Sequence, residues 1–310
     1  MWVLRSIHTE PSNIINSSKS PQVSEEVVLP IENVYIVYNA FINLKRSNWA
    51  DLIQQQVANL VSNGLIEKTK ELHVCLSIDA ESVDESITES SVNKISSIIY
   101  SIVPKSKAMI SVTYKNLFEY PGNHKVWEIG QRIENKVDAD KSVILYFHSK
   151  GMFNGHLKNN PRSTREILLF QTVIDPWEYV LQRLSANPLI NKAGFAASEY
   201  GYIWYNFWWA RASYIQKLEE PELTKDRYYY ERWLGRVKPE HIWPGSSPQF
   251  IALALSKNDS RGAFQSSGDC LSLCRPDVPV GVYFTIPHPC EHAGLNFRQQ
   301  LSKLYHIFFA

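Results

Sequence analysis

From Val34 to Phe147 the chain alternates short β-branched runs with longer amphipathic segments, and no other feature restricts its fold as much. Val34-Tyr35-Ile36-Val37-Tyr38, Leu72 to Ile78, Met109-Ile110-Ser111-Val112 and Ser142 to Phe147 read as strands, because β-branched and aromatic side chains suit a pleated, buried surface. Between them Trp49, Leu52, Ile53, Val57, Leu60 and Val61 share one helical face, as do Val92, Ile95, Ile99, Ile102 and Val103, and then Val126, Ile129 and Ile133. Ser47 is placed to cap the first helix, with Asp51 in its first turn and Gly64 at its end. Strands separated by helices need crossover connections, so the pattern predicts an α/β fold with a mainly parallel sheet flanked by helices.

The pattern changes after Gly151. A polar loop from Gly155 to Pro161 precedes a helix carrying Ile167, Leu168, Val173 and Ile174, and Asp175-Pro176-Trp177-Glu178 reads as a fresh helix start with Asp175 as its cap. Ala193 to Ala197 is strand-like, and the aromatic stretch Tyr200 to Trp209 follows it, with Trp204 and Tyr205 as loop residues and Trp208 and Trp209 either core residues bracing the sheet or site residues. A helix through Ile215 and Leu218 comes next. Phe250 to Leu255 fits strand or helix. Residues 1–30 form an irregular leader. Residues 31–240 make a single large domain with halves at 31–151 and 152–240, and residues 241–310 are an extension packed on the same domain.

Charge excludes some partners. Lys and Arg total 32 against 31 for Asp and Glu, so there is no bulk field for nucleic acid or an anionic membrane. No apolar run approaches the ~20 residues of a transmembrane helix, which leaves only peripheral contact with a membrane open, and the first eight residues lack the apolar core of a signal peptide. Four cysteines in a chain of this size do not make a disulfide scaffold, and a cytoplasmic location is expected. Cys270, Cys274, His288, Cys290 and His292 are metal-capable types, but their spacing is not that of a standard zinc site, and buried or idle thiols are the expectation.

In open parallel sheets ligands bind beyond the carboxyl ends of the strands. Leu145-Tyr146-Phe147-His148-Ser149-Lys150-Gly151 therefore puts a titratable ring, a cation and a permissive backbone position where chemistry is expected. Asp138-Ala139-Asp140 has the Asp-x-Asp form that holds metals elsewhere, but it precedes its strand and belongs at the opposite, amino edge as a solvated acidic loop.

Several of these strings occur together in one known group. YFHSKG at 146–151, Asn206-Phe207-Trp208-Trp209-Ala210 with Tyr214-Ile215, and Arg227, Glu231, Trp233 and Gly235 resemble a family of GT-A-type glycosyltransferases from bacteria and large viruses. Trp49…Gln55…Ser62-Asn63-Gly64-Leu65 and Glu119-Tyr120-Pro121 are similar to further motifs of that family, so the resemblance spans about residues 33 to 236. It implies a GT-A-like, Rossmann-like fold and transfer of a sugar from a nucleotide-diphosphate donor, a UDP- or GDP-sugar, to a glycan acceptor hydroxyl. Tyr38, Asn39 and Asp79 would face the nucleotide, and His148, Lys150 and Gly151 the diphosphate. Glu231 would be the general base, with Glu199 as a second candidate, and Trp204, Tyr205, Asn206 and Trp208 would meet the acceptor. Where many GT-A enzymes carry Asp-x-Asp for Mn or Mg, this chain has His148-Ser149-Lys150, so its metal dependence stays open. A non-catalytic binder of carbohydrate or nucleotide sugar is the alternative. A nucleotidyltransferase is disfavoured because no glycine-rich loop follows Tyr38.

Overall fold

The four leading apolar runs become the parallel strands β1 (Asn33–Asn43), β2 (Thr69–Asp79), β3 (Ala108–Thr113) and β4 (Ser142–His148) of a computed structural model. It describes residues 28–44, 49–79, 85–149, 162–196, 198, 201–241, 250–255 and 282–285. The connections are α1 (Trp49–Ser62) with the short α2 (Leu65–Lys68), α3 (Glu85–Ile102), and α4 (Tyr120–Arg132) with the short α5 (Lys136–Asp140). Gly64 ends α1 as its position predicts, at φ 79°, a conformation that costs glycine nothing. Ser47 lies outside the described residues.

The second half differs more from expectation. Helix α6 (Thr164–Leu169), capped by Ser163, runs into a π-helical turn at Phe170–Ile174 before α7 (Trp177–Ala186). Asp175 does not cap α7; its carboxylate instead accepts amide hydrogens from Asn59 at 2.7 Å and Asn63 at 3.2 Å, tying the two helices together. Strand β5 is Ile190–Gly194, earlier than expected, and the aromatic stretch holds a strand, β6 (Trp208–Arg211). After α8 (Ala212–Ile215) and α9 (Arg227–Arg232), residues 241–310 add β7 (Phe250–Ala254) and β8 (Val282–Thr285). The described strands form one sheet in the order β3-β2-β1-β4-β6-β5-β7-β8, with β6 antiparallel to both neighbours and β8 antiparallel to β7.

Both faces of this sheet are covered, which is why its strands read as continuous apolar runs. Successive side chains of a strand point to opposite faces. Ile36, Tyr38, Leu145, Phe147 and Trp209 join the core beneath α1 and α3, while Tyr35, Val37, Ile144, Tyr146 and Trp208 join the core beneath α4 and α8. The adjacent Trp208 and Trp209 are therefore each fully buried, on different faces. Buried Arg211 pins β6 by donating to the carbonyls of Ile190 (2.8 Å), Asp140 (2.6 Å) and Leu184.

Lys192 on β5 is fully buried, donating to the Gly201 carbonyl and, at 2.7 Å, to the Tyr214 hydroxyl, which in turn donates to the Leu234 carbonyl at 2.6 Å. Burial pushes its pKa well below the ordinary lysine value. The unfolded chain then binds more protons, so this group's stability is fully present above about pH 10.4 and is lost as pH falls through the folded pKa. Buried Tyr38, Tyr146 and Tyr214 are shifted upward by desolvation, and their stability is lost above about pH 10. The midpoint of urea unfolding is expected to rise with pH towards about 10 and then fall, and Lys192→Met to lose the rising limb.

Candidate functional site

The chain runs from β1 outward to β2 and β3, then returns to add β4 on the other side of β1. The carboxyl ends of β1 and β4 thus flank a topological switch point, where the two connections leave in opposite directions and a crevice opens. Asn39 pairs with His148 across this point. Both side chains belong to the α4 face by strand alternation.

Beyond His148 the string changes role. Ser149 is buried, its N–H donates to the Asn39 carbonyl at 3.0 Å, and its hydroxyl accepts the Phe41 N–H at 2.8 Å. It thereby satisfies β1, which outruns β4 by four positions to the Asn43–Asp79 pair. Lys150 and Gly151 lie outside the described residues, as do Glu199 and the Cys270–His292 group.

The start of α4 approaches this crevice closely because residue 122 is glycine. A Cβ there would stand 2.7 Å from both Asn39 Cβ and Tyr146 Cε2. Glu119 holds the N-cap position of α4 but does not use its carboxylate as a cap. One carboxylate oxygen lies 3.4 Å from His148 Nδ1, and the other accepts the side-chain amide of Asn206. The remaining His148 nitrogen, Nε2, faces the Tyr205 carbonyl at 3.3 Å. Both ring nitrogens thus face oxygen atoms.

This geometry is held against local strain. Among the described residues, the non-glycine positions with positive φ are Phe118 (54°), Tyr205 (71°) and Asn206 (55°), all within this cluster. Each costs about 1 kcal/mol. Asn39 donates to the Phe118 carbonyl at 3.3 Å, and the Trp208 indole donates to Asn206 Oδ1 at 2.6 Å. Asn39 Oδ1 and the Tyr146 hydroxyl are buried beneath the cluster without hydrogen-bond partners. Burial, then the negative charges of Glu119, Cys75 and Glu231, push the Tyr146 pKa well up.

Of the residues expected from sequence, His148 and Asn39 meet at the switch point. Trp204 and Tyr205 lie beside it in a partly buried turn, Trp204–Asn206. Glu231 is on α9, which Asn123 ties to α4 through the Tyr230 carbonyl at 3.0 Å; it also pairs with Arg227 at 3.8 Å. Asp79 ends β2, four positions beyond the level of Asn39, or about 13 Å further along the sheet.

Three expectations need correction. Tyr38 faces away from the crevice, stacked on Phe147 with its centroid 4.6 Å away and its hydroxyl donating to Gln56; neighbours in a strand cannot share a face, so it cannot join Asn39. Trp208 is a core residue stacked on Tyr146 at 4.9 Å, with no surface to offer an acceptor. Asn206 is 1% exposed and spends its amide and carbonyl on Glu119 and Trp208, so it positions Glu119 and does not meet a ligand.

Glu119 is the residue that sequence reasoning left without a role. Its signal was present in Glu119-Tyr120-Pro121, a helix start directly before the central strand's crossover. Asp138-Ala139-Asp140 lies in α5 at the amino end of β4, with Asp138 exposed, on the edge opposite the crevice. Among the described residues no group of three or more His, Cys, Asp or Glu side chains could hold a metal ion. At β4 the described donors of this kind are His148 and Glu119. No helix among the described residues is long and apolar enough to cross a membrane. No protein-family profile matches the chain, and no curated protein matches it in sequence.

The Asn206 arrangement has a measurable cost. Asn206→Ala removes both side-chain bonds and keeps the strained φ, for an expected loss of about 2–4 kcal/mol in urea unfolding. Asn206→Gly relaxes the backbone and should lose about 1 kcal/mol less.

Proposed function

We propose that the chain is a GT-A-like glycosyltransferase that moves a sugar from a nucleotide-diphosphate donor, a UDP- or GDP-sugar, to a carbohydrate acceptor hydroxyl. The observation supporting this is a convergence in space. Glu119 of the E-Y-P string, His148 of the Y-F-H-S-K-G string and Asn206 of the N-F-W-W-A string are far apart in sequence, yet they form one polar cluster at the switch point. Glu231, from the fourth string, is close enough for its charge to bear on Tyr146 beneath that cluster. Four of the five strings behind the family resemblance thus come together near one place, and it is where an α/β sheet binds ligands.

The division of the sheet supports the same function. Four parallel strands offer a nucleotide-binding half, and the mixed part from β6 onward offers an acceptor half. Lys150 is the next residue in sequence after Ser149 and would carry positive charge to the donor diphosphate. Catalysis would come from that charge on the departing diphosphate and from orientation of the acceptor. No step is routed through a metal.

Thermal shifts with UDP, GDP, CMP and dTDP, each with and without manganese, test donor binding. A shift with UDP or GDP is expected, and silence with every nucleotide would overturn the proposal. Sugar binding without nucleotide release from any donor would establish the non-catalytic alternative. Lys150→Ala is expected to stay folded by circular dichroism while its transfer rate drops at least a hundredfold, about 3 kcal/mol of transition-state stabilisation.

A further inference from the structure

Two carboxylates lie near the switch point, and their surroundings differ. Glu231 stands on α9 with its side chain 24% exposed, 3.8 Å from Arg227 one helical turn earlier, an ordinary surface pair of small energetic value. Glu119 has a side chain 15% exposed. Residues in the left-handed region flank it on the chain at Phe118 and face it across the crevice at Tyr205 and Asn206. It forgoes the capping bonds open to an N-cap side chain and turns instead to His148 and Asn206. The cluster therefore holds one carboxylate in one direction at the cost of three strained residues and a helix cap. Strain concentrated on the positioning of one group is the pattern of a preorganised functional site.

We propose that Glu119, rather than Glu231, is the general base of the transfer, with Asn206 as its positioning residue. The assignment rests on the glycosyltransferase function proposed above. In the step it implies, the acceptor oxygen bonds to the anomeric carbon while its proton passes to a Glu119 carboxylate oxygen. The bond from that carbon to the donor diphosphate breaks, and its electron pair leaves on the nucleoside diphosphate. Glu119 ends as the neutral acid, and a single displacement of this kind inverts the anomeric centre.

The test follows nucleotide release from UDP-glucose and GDP-mannose by the full chain, with a mixture of methyl glycosides as acceptors. Glu119→Gln is expected to keep its UDP or GDP thermal shift but to lose about a hundredfold or more in rate, at least tenfold more than Glu231→Gln. The acid limb of the wild-type rate profile should be absent from its residual activity, and the wild-type product should be the inverted anomer. Glu119→Asp keeps the charge with a shorter reach, guards against a folding defect, and should be slowed about tenfold with the acid limb retained. Glu119→Gln above a tenth of the wild-type rate, a larger loss in Glu231→Gln, full activity in Glu119→Asp, or a retained anomer would each overturn the role of Glu119 alone. A wild-type chain that releases nucleotide from neither donor overturns the enzymatic function itself.

Discussion

Strand β1 is paired on both edges, to β2 and β4, and covered on both faces, so each of its residues has one direction in which to send its side chain. The rest of the site follows from that constraint. Odd-numbered positions from Tyr35 to Asn39 face α4, and even-numbered ones face α1. Asn39 is then the polar residue of β1 that arrives under the start of α4, level with His148 on β4. A one-residue shift of register would send Asn39 and His148 into the apolar core on the other face, a cost that keeps the pairing unique.

Close packing at that point depends on a single small residue. With glycine at 122, α4 settles against Asn39 and Tyr146 and brings Glu119 into reach of His148. The same approach buries Asn39 Oδ1 and the Tyr146 hydroxyl without partners, an unfavourable arrangement that well-packed proteins concentrate near function. The turn at Trp204–Asn206 closes the other side, and β6 holds it in place: Trp208 stacks on Tyr146 and reaches back to Asn206, while Arg211 ties the far end of the strand to three separate backbone segments.

Much of this was legible in residue order. The alternation from Val34 to Phe147 predicts four parallel strands and their helices, Gly64 marks the end of α1, and the position of Asp138-Ala139-Asp140 before its strand puts it on the wrong edge for the crevice. The reading was weaker where a local pattern has two physical solutions. Within Tyr200 to Trp209 residue order leaves Trp208 and Trp209 open between core and site, because a strand buried on both faces shows a run of large apolar residues without alternation. Asp175 looks like a cap because Asp-Pro is a helix-start signal, yet Asn59 of α1 and Asn63 just beyond it offer its carboxylate better donors. Tyr38 and Asn39 were grouped by adjacency, although strand alternation separates them.

Sequence by itself determined the α/β class, the parallel pairing of the first four strands and the edge of the sheet on which His148 stands. These depend on local periodicity and on the geometry of crossover connections, both carried by nearest neighbours in the chain. Tertiary structure alone decided that Glu119 joins His148, that Asn206 serves Glu119, and that Trp208 is core. Each of those outcomes is a contact between segments distant in the chain, up to 87 residues apart, set by how α4, β4 and the turn before β6 pack around one glycine. No local pattern encodes such a meeting, because its energy exists only after the sheet has formed.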